Sequence, residues 1–174
     1  ACGILPGVMQ AVGEVHDSDD EAYINGFLAA AGVGNVVTNQ ACVAGAVGGC
    51  QAEVGTAAAM ASACAVAMMG GTTEEVVTAM TLCMKNVLGL VCDPVAGLVE
   101  GPCVKRNGIY AVHALASAEM AMAGLRSRIP ADEVIGAMDS IGRALPEALR
   151  ETSEGGLAKT KTGVDITNRL AHQK

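Results

Sequence analysis

Twenty consecutive residues without a charge, 54–73, occupy the middle of the chain. This length is sufficient to cross the apolar part of a bilayer. However, the run consists mainly of Ala, Gly, Ser, Thr and Met, and it lacks the Leu, Ile and Phe content and the flanking aromatic residues of a membrane span. We therefore predict a buried helix at the centre of a protein that does not enter the membrane.

The neighbours of such a helix must approach it closely, because the chain offers few large side chains. Of its 174 residues 51% are hydrophobic, yet there is one Phe, there are two Tyr and there is no Trp. Small residues let backbones come together, and Met fills irregular gaps. The length fits one domain. We predict a single all-α domain over 1–174, with a compact Ala-, Gly- and Met-rich core.

Local signals predict where the helices lie. Glycine pairs, an N-terminal capping box and a proline early in a helix mark the boundaries. The predicted helices are 21–31 ending at Gly32, 51–69, a helix capped by Thr72 and Glu75 and running to about Leu88, 104–125, and one from Pro130 to about Leu145, with Pro146 as a kink or a restart. Strand signals at 35–38 and 42–47 are weak, since Gly and Ala interrupt any alternation.

Charge and cysteine content restrict the function classes. The net charge is −7, and an acidic chain with almost no aromatic residues lacks the basic and stacking surfaces that nucleic acids need. The seven cysteines are an odd number in a chain without a secretory leader, so we expect reduced thiols in a cytoplasmic protein. Some of these thiols are candidate metal ligands.

Three cysteines stand out by their local context. Cys50 follows two glycines and precedes the predicted central helix, whose N-terminus favours a thiolate. Cys92 and Cys103 bracket a segment, 93–102, that two prolines stiffen. The spacings match no common zinc or ferredoxin pattern. On these grounds alone, each cysteine is either a ligand or a small buried hydrophobe.

The segments around these cysteines resemble the α chain of the iron–sulfur L-serine dehydratases of the two-chain type, in its C-terminal part. The resemblance covers essentially the whole chain in order. Five segments carry it: ACGILP (1–6), GCQAEVG (49–55), MKNVLGLVCDPVAGLVE (84–100), PCVKRN (102–107) and RETSEGGLA (150–158).

The resemblance implies that Cys50, Cys92 and Cys103 bind a [4Fe–4S] cluster. Three thiolates leave one iron without a protein ligand, as a catalytic metal site requires. The implied activity is that of an L-serine ammonia-lyase: the open iron acts as a Lewis acid on the substrate hydroxyl, and the products are pyruvate and ammonia. The resemblance implies no pyridoxal phosphate.

Comparison with the family also sets expectations about what lies outside this chain. Some relatives end in a cysteine that occupies the open iron, whereas this chain ends LAHQK (170–174). That ending resembles the two-chain form, in which a β chain carries an ACT-type regulatory domain, and we expect an oligomer. The family's α chain also has an upstream substrate-binding segment, so we expect part of the active site to lie there.

The remaining polar candidates have competing interpretations. Lys105, Arg106 and Asn107 follow Cys103 and are candidate ligands for the serine carboxylate, or else cations that offset the cluster charge or face solvent. His113 is a candidate general base, although a histidine that packs between helices is the commoner case. His16 and His172 are expected in solvent. Four further cysteines are predicted to be buried thiols: Cys2, Cys42, Cys64 and Cys83.

Three alternative functions remain open at this point. A cysteine desulfidase-type lyase would present a thiol rather than a hydroxyl to the same iron. A non-catalytic iron–sulfur domain, for regulation or electron transfer, would usually have a fourth protein ligand. A structural zinc site would need no open position.

Overall fold

A computed structural model describes residues 1–172, and this part of the chain contains helices and no sheet. The all-α prediction is confirmed. Gln173 and Lys174, at the predicted chain ending, lie outside the described residues. The α-helices are α1 (Ile4–His16), α2 (Asp20–Gln40), α3 (Gly45–Gly48), α4 (Thr56–Met68), α5 (Thr73–Lys85), α6 (Gly101–Met122), α7 (Ala131–Ala144) and α8 (Lys161–Ala171).

Helix α4 is the centre of the fold, as the uncharged run predicts. It packs against α1, α2, α5 and α6, and five of its alanines have no exposed surface: Ala58, Ala59, Ala61, Ala63 and Ala65. Close approach is visible at Gly26 of α2, where a Cβ atom would lie 2.8 Å from the Cys64 sulfur of α4. No helix within residues 1–172 combines the length and the apolar content needed to cross a membrane.

Helix α2 differs most from the prediction. It continues through Gly32 to Gln40 and includes the weak strand signal at 35–38. Val33 and Val37, both buried, continue the face that packs on the core. Gly34 lies against Met60 of α4, at a distance where a Cβ atom would be 3.1 Å from the Met60 sulfur. Gly34 therefore allows close packing between two helices, and Gly32 does not end α2.

The predicted helix 51–69 begins with one π-helical turn, Gln51–Gly55, before α4. The Gln51 side chain is fully buried. Its Nε2 donates to the Met138 carbonyl at 2.8 Å, and its Oε1 accepts from the Gly89 amide at 2.8 Å. Isolated π-turns are frequent at functional sites. The two hydrogen bonds of Gln51 fix this wide turn, which follows immediately after Cys50.

The other boundaries follow the local signals within a few residues. The Thr72–Glu75 capping box is present, with the Glu75 amide donating to Thr72 Oγ1 and the Thr72 amide to Glu75 Oε2. Helix α5 ends at Lys85, α6 runs from Gly101, and α7 starts after Pro130. Pro146 begins a short 3₁₀ turn, Glu147–Leu149. Helices α1, α3 and α8 were not predicted, and α3 overlaps the weak strand signal at 42–47.

Two irregular segments lie side by side at one end of the helices. The Cys92 amide donates to the Leu149 carbonyl at 2.9 Å, and the Glu151 amide donates to the Cys92 carbonyl at 2.7 Å. Ser153 Oγ donates to the Pro94 carbonyl at 2.6 Å. We call 86–100 the cysteine loop and 145–160 the C-terminal segment. Their pairing provides the backbone hydrogen bonds that neither receives from a helix.

Candidate functional site

Cys50, Cys92 and Cys103 line a single cavity of about 440 Å³. They come from three separate parts of the chain: the entry to the π-turn, the cysteine loop and the first turn of α6. All three are free thiols, Cys50 and Cys92 buried and Cys103 half-buried. The fold thus brings together the three cysteines that the flanking motifs distinguish.

The backbone on both sides of the cavity is specialised. Gly49 adopts φ +75°, and a Cβ atom there would lie 2.9 Å from the Leu90 carbonyl oxygen. Only glycine therefore fits the turn that presents Cys50. Cys92 is fixed by the backbone bonds to the C-terminal segment. Cys103 follows Pro102 at the start of α6, where a fixed φ suits the first helical turn.

The three thiols differ in their readiness to ionise. A hydrogen bond from Cys92 and the positive charge of Arg106 lower the pKa of Cys50 from 9.0 to about 7, against the opposing effect of burial. The same hydrogen bond, together with burial, raises the pKa of Cys92. Burial and the Cys50 charge raise the pKa of Cys103. Cys50 is therefore the thiol best prepared to act as a thiolate.

Arg106 and Asp93 form an ion pair next to Cys50 and Cys92. Arg106 Nη2 lies 2.8 Å from Asp93 Oδ1, and Nη1 donates to the Val91 carbonyl at 3.0 Å and to the Cys50 sulfur at 3.4 Å. The exposed fractions are 17% for the Arg106 side chain and 4% for that of Asp93. Asp93 was not singled out by sequence reasoning, although it lies inside the segment matched by the family motif.

Two carboxylates and one amide also line the cavity. A Cβ atom on Gly45 would lie 3.3 Å from Glu53 Oε2, 3.4 Å from the Cys92 sulfur and 3.6 Å from Glu151 Oε2, so these groups surround one point. Glu151 has φ +67°, a conformation that costs energy for a residue with a side chain. Glu53 was not predicted to be a site residue, although it lies within a matched motif.

The polar candidates next to Cys103 are in different environments. Asn107 lines the cavity, and its Nδ2 donates to the Cys103 carbonyl at 2.8 Å. Lys105 is exposed, with Nζ 3.4 Å from the Gly101 carbonyl. Arg106 is directed towards Asp93 and Cys50 as described. A role for the three in carboxylate binding stays a prediction, and among them Asn107 alone is in the cavity lining.

The histidines lie away from the cavity lining. His113 is on α6 with Nε2 2.9 Å from the Cys83 carbonyl, so this nitrogen is engaged between α5 and α6. His16 and His172 are exposed, as expected. The catalytic assignment of His113 stays a prediction that this geometry does not strengthen.

The prediction of four further buried thiols is correct for Cys64 and Cys83 and wrong for the other two. Burial raises the pKa of Cys64 and of Cys83 to about 12, so both are inert core thiols. Cys42 is half-buried, in the turn between α2 and α3. Cys2 is exposed and lines the cavity with the three motif cysteines. Cys2 and Cys42 are outside the helices, where no packed face encloses them.

The donor set indicates what this cavity can hold. Within residues 1–172 no three His, Cys, Asp or Glu side chains are arranged around a single metal ion. The three thiols that line the cavity are the donor type that iron–sulfur clusters take, and the adjacent Arg106 guanidinium offsets negative charge.

Fold and site together define an all-α protein in which the three motif cysteines line one cavity, between the π-turn before α4, the cysteine loop and the start of α6. The model of the serine dehydratase alpha chain family matches residues 1–158, and the chain belongs to this family.

Individual relatives agree with the family match. The chain is 54% identical over 173 residues to a probable L-serine dehydratase alpha chain of Latilactobacillus sakei, covering 99% of this chain and 83% of that protein. It is 50% identical over 164 residues to the L-serine dehydratase alpha chain of Peptoniphilus asaccharolyticus, covering 94% of this chain and 56% of the relative. With L-serine dehydratase 1 of Escherichia coli the identity is 41% over 160 residues, 91% of this chain and 35% of the relative. The chain thus spans most of the first relative, about half of the second and about a third of the third.

Proposed function

We propose that this chain carries the catalytic iron–sulfur centre of an L-serine ammonia-lyase. The observation that carries the proposal is the convergence of Cys50, Cys92 and Cys103 on one cavity. The names of the relatives support serine as the substrate. In the proposed reaction L-serine loses its α-proton and its β-hydroxyl as water. The resulting aminoacrylate becomes an imine, which hydrolyses to pyruvate and ammonia.

The proposed cofactor is a [4Fe–4S] cluster held by the three motif cysteines. When bound, it supplies a Lewis acid at the iron that has no protein ligand. The protein's contribution is to keep that position open and to orient the substrate hydroxyl towards it. Pyridoxal phosphate has no role in this proposal.

Glu53 and Glu151 supply negative charge beside the cysteines. A carboxylate there can accept hydrogen bonds from the substrate's α-ammonium group, and it can also take the α-proton. Asn107 offers an amide at the same wall, which suits the substrate carboxylate.

The two roles of the glutamates can be separated by Glu53→Gln and Glu151→Gln, which remove charge and keep shape. Loss of a general base lowers kcat by about 10²–10⁴-fold. Loss of an ammonium partner raises KM and leaves kcat largely intact. Unchanged kinetics in both variants would exclude these residues from the reaction.

The test of the main proposal is pyruvate release by the complete protein after anaerobic cluster reconstitution. L-serine and L-cysteine are supplied separately, because each would yield pyruvate. We expect pyruvate and ammonia from L-serine in proportion to bound cluster. Sulfide and pyruvate from L-cysteine with no turnover of L-serine would favour the desulfidase instead.

A non-catalytic iron–sulfur domain is the second candidate, and the position of Cys2 favours it. Cys2 is the fourth cysteine of the cavity lining, and a fourth ligand would close the open iron. Cys2→Ser distinguishes the two cases. We expect the variant to keep both the cluster absorbance and serine deamination. Loss of the absorbance would identify Cys2 as a ligand and contradict an open iron.

We further propose that the chain works with a β chain bearing an ACT-type regulatory domain, in an oligomer. The term alpha chain in the names of the relatives supports a second chain. Co-purification of the two chains, followed by measurement of the mass of the complex, tests this. A fully active species containing this chain alone would contradict it.

A further inference from the structure

One arginine connects the three chain segments that carry the cysteines of the cavity. Arg106 lies on α6, three residues after Cys103. Its Nη1 reaches the Cys50 sulfur at 3.4 Å, and its Nη2 reaches Asp93, the residue after Cys92, at 2.8 Å. Nη1 also donates to the Val91 carbonyl on the other side of Cys92. A planar guanidinium can make these bonds together because its donors point in fixed, diverging directions.

Asp93 extends this connection to the C-terminal segment. Its Oδ1 accepts from Arg106, and its Oδ2 accepts from the Leu157 amide at 2.8 Å. The approach is so close that a Cβ atom on Gly156 would lie 2.5 Å from Asp93 Oδ2. Gly156 also has φ +56°. The backbone around Gly156 is thus shaped to bring an amide to a carboxylate that already holds Arg106.

The orientation of Arg106 argues against a primary role on the substrate. Its side chain is 17% exposed, and Arg106 is absent from the cavity lining that contains Asn107 and the cysteines. Two of its nitrogens are committed to the Asp93 carboxylate, a carbonyl and a thiol. Releasing them to bind another carboxylate would leave a nearly buried aspartate without its partner.

We propose that Arg106, held by Asp93, is a positioning residue that fixes the three cysteine segments and donates a hydrogen bond to the Cys50 ligand of the cluster. This inference rests on the proposed iron–sulfur function. Groups that orient the ligands of a metal centre typically change its affinity by about 10–100-fold when removed. Hydrogen bonds to the sulfur atoms, together with net charge, also set the reduction potential of an iron–sulfur cluster.

The experiment compares Arg106→Met, Arg106→Lys and the unaltered complete protein after anaerobic reconstitution. Two quantities are measured: iron retained against a chelator, and the midpoint potential of the cluster in a titration followed by electron paramagnetic resonance. We expect Arg106→Met to retain iron about 10–100-fold less well. We also expect its potential to be more negative, because the reduced cluster loses a positive neighbour and an N–H···S bond.

Arg106→Lys keeps the charge but cannot make the forked contact, so its potential is expected between those of the other two proteins. Circular dichroism checks the fold, and Arg106→Lys alone decides the matter if Arg106→Met does not fold. Lys105→Met is the matched control, since Lys105 is the adjacent exposed cation on α6. It is expected to leave the potential and the iron retention unchanged.

The result that would overturn the inference is a normal potential and normal iron retention in the Arg106 variants. A raised KM for L-serine with both cluster properties intact would also overturn it and assign Arg106 to the substrate carboxylate. Failure of the unaltered protein to bind any cluster would instead refute the proposed function. The two failures are therefore distinguishable.

Discussion

The helical core around α4 and the irregular segments around the cavity differ in how they affect the ionisation of their cysteines. In the core, Cys64 and Cys83 are fully buried, and burial raises the pKa of each thiol, for Cys83 against the opposing effect of hydrogen bonds with Ser62 and Ser117. At the cavity, a neighbouring thiol and a guanidinium lower the pKa of Cys50 although it is also buried. Burial thus keeps a thiol protonated unless stronger effects oppose it, as the neighbouring thiol and the guanidinium do at Cys50.

The two regions also differ in how their backbones are stabilised. Core residues obtain their hydrogen bonds within helices, so small apolar side chains suffice for packing. The cysteine loop and the C-terminal segment rely on side-chain contacts, among them Ser153 to Pro94 and Asp93 to Leu157. Three residues with positive φ other than glycine lie in these segments: Ala96, Glu151 and Ser153. Strained backbone at this end of the molecule is consistent with a site held by its surroundings.

The largest expected effect tests whether the two classes of cysteine are truly distinct. Cys92→Ser, or the same change at Cys50 or Cys103, should abolish the visible absorbance of the reconstituted cluster, because one ligand is lost. Cys64→Ser should leave that absorbance intact. An absorption spectrum of each anaerobically reconstituted protein provides the measurement. Retention of the full absorbance in Cys92→Ser would refute the proposed ligand set.

Removal of the Asp93 carboxylate, which contacts both Arg106 and the C-terminal segment, should have the next largest effect. Asp93→Ala leaves Arg106 without its partner and the Leu157 amide without its acceptor. We expect the free energy of unfolding to fall by about 3–5 kcal/mol, as for other buried ion pairs broken on one side. Glu74→Ala breaks an exposed ion pair with Arg126 and should change the free energy of unfolding by less than about 1 kcal/mol. Equal effects in urea denaturation would contradict the special role of Asp93.

A pair of glycines on α7 tests how tightly the helices hold the Cys50 segment. A Cβ atom on Gly142 would lie 2.8 Å from the Gly48 Cα, whereas one on Gly136 has nothing within 4 Å. Gly142→Ala should destabilise the protein by about 1–3 kcal/mol through overpacking. Gly136→Ala should stabilise it by about 0.5–1 kcal/mol, since alanine favours a helix. Thermal denaturation measures both, and a stabilising Gly142→Ala would show that this contact is loose.

The smallest expected change in stability concerns the N-terminal cap of α5. Thr72→Ala removes half of the capping box and should lower the free energy of unfolding by about 1 kcal/mol without altering the cluster. Hydrogen bonds from the Thr72 amide and hydroxyl lower the pKa of Glu75. A lowered carboxyl pKa contributes stability above the unfolded value of about 4.3, and this is lost as the pH falls through the folded value. The difference between variant and unaltered protein should therefore shrink in acid, and a constant difference down to pH 2 would contradict this assignment.

The core was largely predictable from the chain because its signals are local. A run without charge, a capping box and a proline at a helix start identify α4, α5 and α7 from neighbouring residues. The predicted helix boundaries were wrong where one residue type can serve two structural roles. Glycine is typical of helix ends, and Gly32 was predicted to be one, yet α2 continues through it, and Gly26 and Gly34 of the same helix allow close contact with α4. Which use applies depends on the partner helix, and the partner is distant in sequence.

The site was predictable in its cysteines and less so in their surroundings. Flanking motifs distinguished Cys50, Cys92 and Cys103, whereas spacing did not. Nothing local identified Asp93 as the anchor of Arg106, or Glu53 and Glu151 as neighbours of Cys92, because the segments that carry them meet only in the folded chain. Cys2 illustrates the same limit, since its place in the cavity lining depends on how α1 packs against α4 and α6.

Residue order along the chain is therefore enough to specify helices, since hydrogen bonds and packing faces repeat every few positions. It is also enough to indicate which thiols belong to a family motif. Tertiary structure decided which charges face those thiols. The physical reason is that electrostatic and metal-binding properties depend on distances between segments, and packing alone sets those distances.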